Sequence, residues 1–216
     1  MRRISALFIL GGLTIWPMLA SADPFAHIQA YEREAYDRTV TECDRLATHP
    51  SDPEAVLSEG VTRDEMDKHS AIEACHAALE SDPDNPRLNY QLARAYGYSG
   101  LHEQGDLYRE RAVKAGYPQS LFVVGYIRIE GWDGRTPDPC YGGELVRRSA
   151  QAGRFAGLVG FPHYVQTGAF SDCEDYPVIN PEEISVFLDQ AAERTSGYYQ
   201  TILVRSLKAH FSNHTD

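Results

Sequence analysis

Apolar positions recur along this chain at helical spacing, with no convincing strand alternation. The clearest stretch is 25–47. Phe25, Ile28, Tyr31, Tyr36, Val40, Cys43 and Leu46 fall three to five apart, and Ala35 fills the long gap. Glu32, Glu34, Asp37, Arg38 and Glu42 take the opposite side. Asp23-Pro24 offers an N-cap and a first helical residue, and the run from His49 to Pro53 stops the helix. Residues 50–67 read as a connector. Further helices are expected over 69–80, from about 86 to 97 (with Leu88, Leu92, Ala95 and Tyr96 on one face), and over 102–115, with Leu107, Ala112 and Val113 inward. Others follow over 118–130, 142–152, 155–167, from Pro181 (with Ile184, Phe187, Leu188 and Ala191 inward), and 198–211. Gly116 suits the residue after a helix end, and Asn180 to Glu183 suits a capping box. The class is all-α.

The ends and the composition sharpen this picture. Arg2-Arg3, the apolar run Leu7–Leu13 with Ile15 and Trp16, and Ala20-Ser21-Ala22 have the form of a secretory signal at 1–22, cleaved before Asp23. The apolar run is too short and interrupted for a spanning helix, so no stable membrane anchor is expected after cleavage. The short n-region points to the bacterial periplasm. The chain carries a net charge of −11, and losing two arginines takes it to −13, which disfavours nucleic acid as a partner. Four cysteines in an exported chain imply two disulfides. Of three pairings, Cys43–Cys75 and Cys140–Cys173 are favoured. The first would tie neighbouring helices, and the second spans close to one repeat length.

Ala71, Cys75 and Ala78 sit at i, i+4 and i+7, and adding 34 to 71 and 78 lands on Gly105 and Ala112. Leu92-Ala93-x2-Tyr96, Ala71-x3-Cys75 and Pro83 resemble elements of the tetratricopeptide (TPR) family, whose unit is 34 residues long. From about 115 the pattern is similar to the related Sel1-like repeat. It runs from Ser120-Leu121-x2-Val124-Gly125 to Ser149-Ala150-x2-Gly153, and Ala112-Val113-x-Ala115-Gly116 is another copy of that ending. A third, degenerate unit runs from Ala156-x2-Val159-Gly160 to Ala191-Ala192. The resemblance implies a short α-solenoid of antiparallel helix hairpins and a partner that is a protein or peptide. The expected organisation is a signal at 1–22, an N-terminal helical segment with a first half-repeat at 23–84, and helical repeats with a C-terminal helix at 85–216.

No phosphate loop, nucleophile elbow, cofactor motif or metal-ligand pairing stands out. Of eight histidines only His210 and His214 share the i, i+4 spacing of metal ligands, with no third ligand near them in sequence. With the export signal, the TPR/Sel1-like resemblance implies a non-catalytic adaptor or regulator of the cell envelope. An envelope hydrolase acting on cell-wall material, with a site built from scattered His and carboxylates, is the alternative. Tyrosine and arginine anchor interfaces. Arg87, Tyr90, Arg94, Tyr98, Tyr126 and Arg128 are the candidate binding residues, with Tyr96, Tyr164, Tyr198 and Tyr199 as further aromatics.

Overall fold

The computed structural model describes residues 23–213, so the signal at 1–22 and His214 lie outside the described residues. Among those residues all regular structure is helical: α1 Glu42–Ala47, α2 Lys68–Ser81, α3 Pro86–Tyr98, α4 His102–Lys114, α5 Pro118–Glu130, α6 Pro139–Gln151, α7 Phe155–Gln166, α8 Pro181–Glu193 and α9 Tyr198–Ser212, with a 3-10 turn at Arg33–Ala35. Consecutive helices pack on one another from α1 to α9. The architecture is a short helical solenoid.

The turns explain the regularity. α3–α4, α4–α5 and α6–α7 are joined by three residues whose middle member is a left-handed glycine, Gly100, Gly116 or Gly153. In each, the residue after glycine donates back into the preceding helix: Leu101 N to Tyr96 O, Tyr117 N to Ala112 O, Arg154 N to Ser149 O. A residue with a Cβ resists that backbone conformation, so glycine stops each helix and reverses the chain. Proline at the first turn and a side-chain cap restart others: Asn85 before Pro86, Asp138 before Pro139, Asn180 before Pro181. Asn180 caps through its own side chain, accepting from Glu182 N and Glu183 N.

Small residues set the helix separations. A Cβ on Gly142 would lie 2.6 Å from Gly125 O, and one on Gly125 would lie 2.7 Å from Gly142 O, so α5 and α6 nearly touch. Gly105 brings α4 against Ala93 of α3. Ala71, Cys75 and Ala112 are fully buried, whereas Leu107 points outward at half exposure.

Both disulfides form as expected, with Cα separations of 4.5 Å for Cys43–Cys75 and 5.6 Å for Cys140–Cys173. The first joins α1 to α2. The second joins the first turn of α6, which starts three residues earlier than the expected 142, to the long loop before α8.

The expected helix over 25–47 is not formed. Within it only Glu42–Ala47 is α-helical, opened by a capping box between Thr41 and Asp44. Residues before it run as a strap across several units. Phe25 and Ile28 enter a cluster with Val113, Leu121 and Leu145. Gln29 N bonds Lys114 O, and Tyr31 packs on Tyr117. Arg33 and Arg38 reach Glu54, and the Asp37 carbonyl accepts from Asn85 and Arg87. A helix rises about 1.5 Å per residue and extended chain about 3.3 Å. Only the extended form lets one segment serve partners spread along the array, so tertiary contacts override the local period.

Candidate functional site

An open cleft of about 440 Å³ lies between α3, α5 and the loop after α5, with the connector at its back. α3 contributes Tyr90, Arg94 and Tyr98, which recur every fourth residue and share a face. α5 contributes Tyr126, and the loop contributes Trp132, which is 56% exposed and lies 5.9 Å from the Tyr126 ring. The connector brings His49 and Arg63, and α4 brings His102 and Arg109.

Positive charge gathers here. Arg94 is buried; its Nη1 donates to the carbonyls of Ala47 (3.0 Å) and Thr48 (3.1 Å), and its Nη2 to that of Val61 (2.5 Å). Its Nε finds no acceptor among the described residues. The guanidinium groups of Arg94 and Arg63 lie 4.9 Å and 5.2 Å from the Tyr98 ring centre. Behind them Arg154, also buried, donates to Gln119, whose amide donates to the Tyr90 hydroxyl at 3.1 Å. Burial, then the charges of Arg94 and Arg154, pushes His49 down to about 4. Burial pushes Asp52 up to about 6, against the opposing pull of hydrogen bonds from Glu54 N and the Tyr117 hydroxyl and the charge of Arg154. Desolvation raises the Tyr90 hydroxyl well above the phenol range.

The loop wall is held by ions. Asp133, at φ 60°, lies 3.1 Å from His102 Nδ1 and 3.2 Å from Arg109 Nη1, and Arg135 pairs with Asp106.

Four of the six candidate residues, Tyr90, Arg94, Tyr98 and Tyr126, thus converge on one cleft. Arg128 lies outside it, over the Tyr141 ring and lining a separate 310 Å³ hollow with His27 and Arg135. Arg87 is 3% exposed, paired with the buried Asp44 and holding the strap through Asp37 O and Thr39 O. Tyr96 packs against Tyr108 and His76, Tyr164 donates to Glu130, and Tyr198 and Tyr199 stand exposed on α9. Trp132, His49, Arg63, His102 and Arg109 are cleft residues that the helical periods do not reveal, because most come from loops or from the next helix.

A larger groove of about 720 Å³ lies beneath the strap, lined mainly by the strap itself. Among the described residues no three His, Cys, Asp or Glu side chains are grouped to hold a metal ion, and no helix is long and apolar enough to cross a membrane. No protein-family model matches this chain, and neither a curated protein nor a solved structure matches it.

Proposed function

We propose that this protein is a non-catalytic adaptor or regulator of the TPR/Sel1-like kind, exported to the bacterial periplasm, that holds a segment of another protein in the cleft between α3 and α5. The single observation carrying this reading is the convergence of Tyr90, Tyr98, Tyr126, Trp132 and Arg94 on one concavity of a helical solenoid. Aromatic and arginine side chains supply large contact areas at small entropic cost. Both disulfides are compatible with an oxidising, exported compartment.

The hydrolase reading draws support from one feature, the His102–Asp133 contact at the cleft wall. Ser120, which lines the same cleft, weakens it: that side chain is buried and donates to the Arg109 carbonyl, so its hydroxyl is not presented as a nucleophile.

The adaptor reading is tested by placing a photo-crosslinking amino acid at Tyr126 or Trp132 in the exported protein. A discrete protein adduct at both positions, absent when the same group replaces the exposed Tyr199, is expected. Adducts at Tyr199 alone, or at none of the three, would refute the assignment to this cleft.

A further inference from the structure

We infer that the segment taken by the cleft is acidic and carries an aromatic or branched aliphatic side chain. This rests on the adaptor reading and adds the chemistry of the partner.

The argument starts from charge. The chain as a whole is −11, yet the cleft is lined by Arg63, Arg94 and Arg109 against the single carboxylate of Asp133. Arg109 is answered by Asp133 and Asp106. Among the described residues no carboxylate pairs with the other two: Arg94 has three backbone carbonyls and Arg63 has the Tyr98 ring. Arg154, behind the floor, donates to Gln119 and lies over the Phe122 ring, and the Asp52 carboxyl acts on its charge. Neutral dipoles satisfy hydrogen-bond directions but leave the net charge in place. Burying an uncompensated charge is unfavourable, so an incoming carboxylate relieves the buried Arg94, and the exposed Arg63 adds attraction at the mouth.

The walls supply the second half. Tyr98, Tyr126 and Trp132 present rings, and Val123 and Ile127 present aliphatic surface, to the same space. An apolar side chain of the partner fits against them while flanking carboxylates face the guanidinium groups.

The acidic exterior makes the cleft selective. An acidic segment is repelled by most of the surface and held at this basic, aromatic concavity. A basic segment is drawn to the exterior at many places and excluded here.

The test uses the exported protein with both bridges formed, and short fluorescein-labelled peptides with phenylalanine at the centre. The flanks are glutamate, serine or lysine. Fluorescence anisotropy should show the glutamate peptide binding at least about tenfold tighter than the serine peptide, with the lysine peptide not saturating. Added salt should weaken it. Arg63→Glu should weaken the glutamate peptide by about tenfold or more. Arg63 is exposed and lies over the Tyr98 ring, so this change leaves the fold intact. The difference in emission between the protein and its Trp132→Phe variant should change on binding.

Equal affinity for the glutamate and serine peptides, an unchanged Kd in Arg63→Glu, or full competition by inorganic phosphate would overturn the acidic inference. Crosslinking at Tyr126 and Trp132 would still stand in that case. Failure of all peptides together with absent crosslinks would remove both readings.

Discussion

His49 and Asp52 make opposite demands on pH from the same turn, where Asp52 N bonds His49 O. The Asp52 carboxyl is raised from 3.8 to about 6. Between those values the folded chain holds a proton that the unfolded chain releases. The stability this contributes is complete below 3.8 and is lost as pH rises through about 6. The His49 imidazole is lowered from 6.5 to about 4. Its contribution is complete above 6.5 and is lost as pH falls through about 4. Each pH unit across such a window is worth about 1.4 kcal/mol, so each residue swings stability by roughly 3 kcal/mol, in opposite directions. The two slopes nearly cancel from about pH 4 to pH 6. Asp52→Asn keeps an acceptor for Glu54 N, and His49→Asn keeps one for Ser51 N. Urea denaturation across pH 4 to 7 should show Asp52→Asn gaining on the parent by roughly 3 kcal/mol as pH rises. It should show His49→Asn gaining on the parent as pH falls, by a similar amount. Three parallel stability curves would refute the burial argument for both groups.

Other outcomes follow from packing. Gly142→Ala and Gly125→Ala should each destabilise by about 1–3 kcal/mol through overpacking of α5 on α6, while Gly197→Ala should leave the melting temperature nearly unchanged. Gly197 has extended backbone and open space at the Cβ position, so it is the matched control. Arg87→Met should cost about 3–5 kcal/mol in chemical denaturation, since it strands the buried Asp44 carboxylate, and adding Asp44→Asn should recover part of the loss. The two bridges close loops of nearly equal span, with separations of 32 and 33, so loop entropy predicts similar losses of about 2–4 kcal/mol for the two Cys→Ser pairs. Cys43 and Cys75 are fully buried, and the added burial of two hydroxyls should make their replacement the more damaging in thermal unfolding.

The helices from α2 onward were legible because their ends are written locally. Proline with a capping side chain marks several starts, and glycine after the last turn marks several stops. The segment 25–47 was not legible for the opposite reason. Its apolar residues do repeat at helical spacing, but Phe25, Tyr31 and Cys43 belong to three different clusters of the array. Periodicity reports that residues are buried, and a helix is only one way of burying them. Nothing in the segment's own composition says that its partners are far apart.

The same distinction governs the cleft. Tyr90, Arg94 and Tyr98 could be found together because one helix places them on one face. Arg87, a further seven residues before Arg94, lies on a similar face, but α1 and the strap cover that end of α3, so its charge is spent on Asp44. The connector was the least legible part and is also what closes the floor. Val61 N bonds Thr48 O, and Arg94 donates to Thr48 O and Val61 O, so one guanidinium fastens the start of the connector to a later point along it and faces the cleft. Its planar fork does both at once, which a lysine ammonium on a flexible stem does not. The Cys43–Cys75 bridge anchors α1 directly before that connector. Fold and site therefore share the same few groups, and a change at Arg94 cannot separate recognition from stability. Arg63, exposed and resting on the Tyr98 ring, can.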